Sequence, residues 1–248
     1  MFNAVFYNMH ENELDTFAKY YDQIYLKKND YSKDSKVVQG IIRRFEKKNS
    51  KTLLDVGCGT GEHLKYLSKS YDCTGLDISR EMIKIAKSKV PNAEFTIADM
   101  KNFRLKRKFD VIICLFSAIG YVQSFKNLVT TLGNFHKHLS EGGLVLVEPW
   151  VFKSDAHTGT ISIDTYDTEN AKVLRMATSR LTKTRWLVHF HYLTGINGRI
   201  KYTREKHKMI LADYEDYVKA YNLSGYSQTR FLRENEWTRS RGLFVAMK

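Results

Sequence analysis

A glycine-rich loop is the part of this chain whose residue types and spacing best predict ligand binding. Gly57, Gly59 and Gly61 occupy alternate positions directly after a short apolar run that contains Asp55, and a helix-like segment follows at once. Such a run is typical of a buried parallel strand. Glycines in the turn after the strand let the backbone pass close to a ligand without a Cβ in the way. We therefore expect a small-molecule site at this loop.

The glycine spacing distinguishes between two classes of cofactor. A dinucleotide fingerprint reads Gly-x-Gly-x-x-Gly, with the pyrophosphate on the N-terminus of the following helix. In this chain Glu62 occupies the position of the last glycine. A carboxylate there would repel a pyrophosphate but not a cationic, phosphate-free ligand. The spacing therefore favours S-adenosylmethionine over NAD.

Two further carboxylates follow apolar runs at the ends of predicted strands. Asp77 comes 20 residues after Gly57, where an α/β fold places an acid that accepts hydrogen bonds from a ribose diol. Asp99 follows residues 95–98 and is expected to receive an adenine amino group. A single Asp at a strand end is more often simply solvated. The glycine loop and both acids in this order predict a class I methyltransferase that uses S-adenosylmethionine.

Strand-like and helix-like patterns alternate through the first part of the chain. After two N-terminal helices, at 11–31 and 35–48, the patterns predict strands at 52–56, 72–76, 93–97, 109–115 and 143–148, and helices at 61–69, 79–89 and 124–138. This alternation indicates a parallel sheet with right-handed crossovers. The pair Gly142-Gly143 is predicted to end the last of these helices before the fifth strand.

From about residue 155 the pattern changes to long segments with period-two alternation. They predict antiparallel strands at 161–166, 173–180, 185–193 and 199–209, which form a lobe over the active site. A helix at 213–222 and strands near 226–232 and 242–247 complete the core. The expected fold is Rossmann-like α/β, with a mostly parallel seven-stranded sheet, helices on both faces and an antiparallel β-rich insertion. We divide the chain into a helical cap (1–48), an α/β core (49–153 and 210–248) and the β lobe (154–209).

The net charge of +13 arises from Lys and Arg residues that are spread along the chain. They are expected to be mostly solvated helix faces, with some serving a phosphate-bearing substrate, and no nucleic-acid partner is expected. No apolar run approaches the roughly 20 residues of a membrane span. Cys58, Cys73 and Cys114 form no C-x-x-C pair, which is typical of a reduced cytoplasmic protein. The scattered His residues, including His189 and His191, predict no metal site.

Motifs along nearly the whole chain match one family. They are Tyr21-Asp22-x-x-Tyr25, Cys58-Gly59-Thr60-Gly61-x-His63-Leu64, Asp99-Met100, Phe116-Ser117-x-x-Gly120-Tyr121, Val147-Glu148-Pro149-Trp150-x-Phe152 and Ser240-Arg241-Gly242-Leu243-Phe244-Val245. On these segments the chain resembles the S-adenosylmethionine-dependent N,N-dimethyltransferases of TDP-3-aminosugars, of the desosamine and mycaminose type. The glycine loop is common to many methyltransferases, whereas the motifs around Trp150 and Arg241 are more discriminating.

The chain departs from the family pattern around the expected substrate pocket. Val151 stands where the macrolide enzymes carry a second Trp, and Glu62 replaces a small hydroxyl residue. Residues 235–239 lack the family's Gly-Pro-Ser-Gly segment. These differences leave the identity of the sugar open, although they do not touch the chemistry.

The resemblance implies a role for each matched position. Tyr25 and Tyr121 are expected beside the methyl-transfer centre, and Glu148, Trp150 and Arg241 around the acceptor, with Arg241 on its phosphates. The expected cofactor contacts are Tyr21, Asp55, Gly57, Cys58, Gly59, Gly61, His63, Asp77, Ile78, Asp99, Met100 and Leu115. Methyl transfer to an amine mainly requires alignment and exclusion of water, so no catalytic triad is expected. The aromatic residues among these also fit plain core packing, and Arg241 fits a surface cation.

Three alternative functions remain open at this point. One is a small-molecule amine methyltransferase of the glycine-sarcosine or bile-acid sort, with the same fold and cofactor. Another is a tRNA or rRNA methyltransferase, but residues 114–118 lack the Asn- or Asp-Pro-Pro-aromatic signature of base N-methyltransferases. A cofactor-binding protein without turnover is the third. The expected partner is an anionic nucleotide sugar, and the chain is expected to be a monomer or a homodimer.

Overall fold

The computed structural model of the protein describes residue 18 and residues 21–169, 171–233, 235–239 and 241–248. Part of the first predicted helix, residues 11–17, 19 and 20, lies outside the described residues, and so does Ser240 of the C-terminal motif. Residues 21–25 are helical and lead into the first long helix.

Besides the helical segment 21–25, the described residues form two sheets and five α-helices. The helices are α1 (Tyr31–Phe45), α2 (Glu62–Leu67), α3 (Arg80–Lys89), α4 (Phe125–His138) and α5 (Tyr214–Leu223). Strands β1 (Thr52–Val56), β2 (Asp72–Asp77), β3 (Glu94–Ile97), β4 (Phe109–Cys114), β5 (Leu139–Val147), β10 (Gln228–Leu232) and β11 (Leu243–Met247) form the first sheet. Strands β6 (Ser162–Asp167), β7 (Ala171–Leu181), β8 (Arg185–Ile196) and β9 (Arg199–Ile210) form the second. Short 3₁₀ helices cover Ala118–Val122 and Lys153–Asp155.

The first sheet has seven strands in the order β10-β11-β5-β4-β1-β2-β3. Its strands pair in parallel from β5 to β3, and β11 and β10 are added in antiparallel pairs. Successive residues of β1 belong to different cores: Leu53 packs with α1, α2 and α3, whereas Leu54 packs with α4 and α5. The strand reads as a continuous apolar run because both of its faces are buried. The predicted fold class is confirmed.

Short side chains fix where the helices near the site begin. The Ser79 hydroxyl accepts a hydrogen bond from the Met82 N–H at 3.2 Å, and the Asp30 carboxylate accepts one from the Lys33 N–H at 2.9 Å. Such N-caps satisfy backbone donors that the first helical turn leaves free. Ser79 therefore starts α3 two residues after Asp77, as its sequence position predicts.

The prediction that Gly142-Gly143 ends a helix was wrong. Helix α4 ends at His138, and the glycine pair lies inside β5. The register of β4 and β5 shifts at this point, and Gly142 adopts a φ of +69°. A Cβ on Gly143 would lie 3.0 Å from the Asp110 carbonyl oxygen. The glycines therefore form an irregularity within the strand, where the backbone of β4 approaches closely.

The second sheet is an antiparallel meander in the order β6-β7-β8-β9. A turn with positive φ at Asn197 (51°) and Gly198 (71°) joins β8 to β9 and sets their register. One face of this sheet carries alternate residues of each strand, among them Arg175, Tyr192 and His207, which border a cavity. The division of the chain into cap, core and lobe stays a prediction. None of the helices within the described ranges has the length and apolar character needed to cross a membrane.

Candidate active site

A cavity of about 860 Å³ lies between the carboxyl ends of the parallel strands and the second sheet. Ligands of open α/β sheets bind at this edge. Twelve of the predicted site residues border the cavity: Tyr21, Tyr25, Gly57, Gly59, Asp77, Ile78, Asp99, Met100, Leu115, Tyr121, Trp150 and Arg241. Five others do not border it: Asp55, Cys58, Gly61, His63 and Glu148. The structure thus gathers most of the predicted site into one chamber.

The glycine loop turns sharply between β1 and α2. The Gly57 N–H donates to the Leu76 carbonyl at 2.7 Å, which ties the loop to the end of β2. Gly59 has a φ of +53°, and a Cβ there would meet no atom within 4 Å, so the backbone faces open space. Gly61 instead packs against Ala86 of α3, where a Cβ would come within 3.2 Å. Two glycines therefore shape the cavity, and the third lets two helices approach.

The carboxylates at the ends of β2 and β3 both border the cavity. Asp77 accepts the Gly59 N–H through Oδ2 and the Ser79 N–H through Oδ1, both at 2.9 Å. Asp99 accepts the Lys101 N–H at 2.9 Å. An ionised carboxyl offers about four lone-pair positions. Each acid therefore retains capacity for a ligand hydroxyl or amino group while it orders its own loop.

Asp55 and His63 lie beneath the loop, where burial favours the uncharged form of each side chain. Burial, with a contribution from Asp77, raises the pKa of Asp55 to about 8. Burial and the nearby Arg239 lower the pKa of His63 to about 3. The His63 ring packs edge-on against Tyr31, with the ring centroids 5.0 Å apart. A neutral imidazole in this position supports the loop and offers no positive charge to a ligand carboxylate.

Glu62 does not face the cavity. Its side chain is buried and forms an ion pair with Lys89, which also contacts Asp22 at 2.7 Å. The argument that this carboxylate would repel a pyrophosphate is therefore wrong, because Glu62 is buried, paired with Lys89 and not part of the cavity wall.

Aromatic rings from the helical segment before α1 cover the cavity next to the loop. The Tyr21 and Tyr25 centroids are 4.5 Å apart, and Tyr25 meets Phe116 edge-on at 5.1 Å. The Tyr25 hydroxyl accepts a hydrogen bond from Arg175 Nη1 of β7 at 2.9 Å. Burial raises the pKa of Tyr21, so it stays a neutral phenol. This wall joins the N-terminal segment to the second sheet over the loop.

One end of the cavity carries a partly desolvated cation. Arg241 Nη1 donates to the Ser117 hydroxyl at 2.8 Å, and the guanidinium lies 4.6 Å from the centroid of Trp150. Burial lowers the pKa of Arg241. Glu148 is fully buried behind this end, where it accepts the Phe116 N–H at 2.8 Å. Trp150 is therefore a cavity wall that stacks on the guanidinium.

Sequence reasoning missed several residues of the chamber. Arg239 contacts both Glu148, at 3.0 Å, and Asp34. Arg175 and His207 reach the cavity from β7 and β9. Two signals were present: Arg239 stands two positions before Arg241, and Arg175 and His207 obey the period-two alternation of their strands. Neither signal says whether the side chain points into the chamber or away from it.

The chain is similar to known methyltransferases in both sequence and structure. A family model described as a methyltransferase domain matches residues 53–143. The chain is 32% identical to dTDP-3-amino-3,4,6-trideoxy-alpha-D-glucopyranose N,N-dimethyltransferase of Streptomyces venezuelae, over 93% of this chain and 97% of that protein. The chain belongs to the aminosugar N,N-dimethyltransferase family. It is an S-adenosylmethionine-dependent methyltransferase, and the predicted cofactor is confirmed.

Other relatives and solved structures agree with this membership. A dTDP-3-amino-3,6-dideoxy-alpha-D-glucopyranose N,N-dimethyltransferase of Streptomyces fradiae is 32% identical over 85% of this chain and 83% of its own. The crystal structure of Streptomyces venezuelae DesVI superposes with a TM-score of 0.84 at 30% identity, covering 92% of this chain and 97% of that one. The sugar N-methyltransferase KedS8 of a Streptoalloteichus species gives a TM-score of 0.85 at 26% identity, covering 100% and 97%.

The residues of the chamber fit this family's cofactor. Ile78 is 55% exposed although it is apolar, and it borders the cavity together with Met100 and Leu115. An exposed apolar wall next to two acids suits an adenosine, whose base is flat and whose ribose and amino groups donate hydrogen bonds. The open space above Gly59 lets the ligand approach the backbone there.

Proposed function

We propose that the chain transfers methyl groups from S-adenosylmethionine to the amine of a nucleotide-linked amino sugar. The two Streptomyces relatives are named for N,N-dimethylation of dTDP-linked 3-amino sugars. In this chain the proposal rests on one observation above all, which is the state of Arg241.

Arg241 is a cation that forms no ion pair with the described residues. Its one hydrogen-bond partner among the described side chains is the Ser117 hydroxyl, and its guanidinium stacks on Trp150. Glu148 is near enough to act on the pKa of Arg241, but its ion pair is with Arg239, and no described carboxylate lies within ion-pair distance of Arg241. A guanidinium fork binds two phosphate oxygens at once, and the contact is strong where water is excluded. A diphosphate that links a sugar to a nucleotide supplies this charge and shape.

The proposal divides the chamber between the two ligands. Tyr21, Gly57, Gly59, Asp77, Ile78, Asp99, Met100 and Leu115 hold the cofactor, and Asp55, Cys58, Gly61 and His63 support them from below. Tyr25, Tyr121 and Trp150 surround the acceptor amine, and Glu148 acts from behind by holding Arg239 and the Phe116 backbone.

The chain's own residues mainly align the amine and exclude water. When bound, S-adenosylmethionine supplies an electrophilic methyl group on a cationic sulfur. A neutral amine that is held in line needs no further activation, and fixed alignment contributes a large part of the rate. The aromatic wall of Tyr21, Tyr25 and Trp150 keeps the transfer away from water.

The test compares one amino sugar with and without its nucleotide. Release of S-adenosylhomocysteine is measured with a TDP-3-amino sugar, the same free amino sugar and simple amines, using wild type and Arg241→Ala. We expect Arg241→Ala to raise KM for the TDP-sugar by about 10- to 150-fold, because a charged bidentate contact is worth about 1.5–3 kcal/mol. The dissociation constant of S-adenosylhomocysteine is expected to stay unchanged.

Arg180→Ala is the matched control, because Arg180 is an exposed cation on β7 that does not border the cavity. It should behave like wild type with every acceptor. If Arg241→Ala methylates the TDP-sugar as efficiently as wild type, or if wild type accepts only phosphate-free amines, the nucleotide-sugar assignment is wrong.

A further inference from the structure

We propose that Tyr121, His207 and Glu205 form a relay that takes the proton from the acceptor amine. This inference rests on the proposed function, since it requires an amine in the chamber. It assigns a chemical role to two residues of the β lobe that sequence reasoning did not select.

The three side chains form a continuous chain of hydrogen bonds. The Tyr121 hydroxyl lies 2.6 Å from His207 Nδ1, and His207 Nε2 lies 3.0 Å from Glu205 Oε2. Tyr192 donates its hydroxyl to the same carboxylate oxygen at 3.1 Å. Tyr121 borders the cavity and is 39% exposed, whereas Glu205 is only 3% exposed. This series of hydrogen bonds therefore leads from the chamber into the protein interior.

The fold holds the imidazole in one orientation. His207 and Glu205 are two residues apart on β9, so both point from the same face of the sheet. Phe190 of β8 meets the His207 ring edge-on, with 4.9 Å between the centroids. The 3₁₀ helix that carries Tyr121 lies against β9 from the core side. A carboxylate that holds one imidazole nitrogen stabilises the imidazolium formed when the other nitrogen takes a proton.

The reaction needs a proton acceptor once for each methyl group. An alkylamine is mostly an ammonium ion at neutral pH, and only the neutral form has a lone pair for attack. In the proposed step the ammonium gives a proton to the Tyr121 oxygen, while the Tyr121 hydroxyl proton passes to His207 Nδ1. The products are a neutral amine, an unchanged phenol and an imidazolium paired with Glu205. Charge and protons balance without any added reagent.

The surroundings of Tyr121 explain why the phenol passes its proton on. Although Tyr121 faces the open chamber, the protein packed around it desolvates the phenol and raises its pKa, and the nearby Tyr25, Glu205 and Asp77 raise it further. A lasting tyrosinate is therefore unfavourable. Arg175 is a positive charge that acts to lower this pKa, and its guanidinium forms an ion pair with Asp164. Glu205 is the negative group that can balance an imidazolium at position 207.

The test is the pH dependence of His207→Gln, whose amide keeps a hydrogen bond to Tyr121 but cannot take a proton. For an amine with a pKa of about 8, the neutral fraction in solution is about 1% at pH 6 and about 10% at pH 7. Losing the relay should therefore lower kcat/KM for the amino sugar at most about 100-fold at pH 6 and about 10-fold at pH 7, with little effect at pH 9. Tyr121→Phe and Glu205→Gln should show the same trend.

His191→Gln is the matched control, because His191 also pairs with a tyrosine, Tyr202, at 2.7 Å but does not border the cavity. Its activity should follow wild type at every pH. Thermal melting and S-adenosylhomocysteine binding by calorimetry show whether each variant is folded and loaded. A folded His207→Gln protein with a pH-independent loss, or with no loss, would overturn the relay while leaving the proposed function intact. A wild-type protein that methylates no nucleotide-linked amino sugar at any pH would instead overturn both.

Discussion

Replacing Arg239 by Leu should destabilise the protein far more than an ordinary loss of charge. Its guanidinium joins Asp34 of α1 to Glu148 at the end of β5. Both carboxylates are buried, with Asp34 5% and Glu148 0% exposed. The substitution would leave two acids inside the protein without their cation, and the chamber would lose one of its walls.

The size of the destabilisation depends on the hydrogen bonds that each of the two acids retains. Removing one partner of a buried ion pair costs about 3–5 kcal/mol, because the other charge stays buried and uncompensated. Asp34 retains a hydrogen bond from the Thr238 hydroxyl at 2.6 Å, and Glu148 retains the Phe116 N–H at 2.8 Å. We therefore expect the lower end, about 3 kcal/mol in the free energy of unfolding at pH 8. With a urea m-value of about 3 kcal/mol/M, the midpoint falls by about 1 M.

The loss should depend on pH in a definite direction. Burial raises the pKa of Glu148 even though Arg239 and Arg241 act to lower it. Without Arg239 this pKa rises further above its value in the unfolded chain. A carboxyl with a raised folded pKa binds its proton more tightly in the folded state, so it favours folding at low pH and disfavours it as pH rises. The destabilisation is therefore largest at pH 8 and shrinks towards pH 5.

Urea unfolding followed by circular dichroism at pH 8 and pH 5 measures this effect. Arg44→Leu is the matched control, because Arg44 pairs with Glu236 at 2.7 Å while its side chain is 56% exposed. A surface pair of this kind contributes about 0–1 kcal/mol. Equal losses for Arg239→Leu and Arg44→Leu, or a larger loss at pH 5 than at pH 8, would refute the reasoning.

Two further predictions concern the ligands of the chamber. Asp77→Ala should weaken S-adenosylhomocysteine binding by about 1.5–3 kcal/mol in calorimetry, since it removes a charged acceptor and frees the Gly59 N–H; an unchanged affinity contradicts its assignment. The net charge of +13 should give only weak tRNA binding that falls steeply with salt in filter assays. Submicromolar affinity at physiological salt, with methyl groups incorporated into the tRNA, would contradict that expectation.

The part of the site that the sequence predicts well lies at the ends of parallel strands. Gly57 follows β1, Asp77 ends β2 and Asp99 follows β3, and parallel strands bring their carboxyl ends to one edge of a sheet. Position along the chain therefore translates directly into position in space. The same rule explains why Tyr121 and Trp150, which follow β4 and β5, reach the same chamber.

Contacts between residues that are far apart in the sequence leave no comparable pattern in the sequence. Arg239 and Asp34 are 205 residues apart, and Arg175 and Tyr25 are 150 apart. Each of these residues alone fits a solvated charge or a packed aromatic side chain. Glu62 illustrates the opposite error. In the sequence its charge favoured one cofactor over another, whereas in the structure it forms an ion pair with Lys89. Only the packing of α1, α3 and the second sheet on the core decides which charges meet.

The β lobe depends on register in a stricter way. Because side chains alternate between the faces of a strand, a shift of one residue in the pairing of β8 with β9 would exchange every inward and outward position. The turn at Asn197 and Gly198 sets Val188 opposite His207, so His207 faces the chamber. By the same parity His189 belongs to the opposite face of β8. The sequence therefore offered several histidines on two adjacent strands, and the turn geometry selects the one that can reach Tyr121.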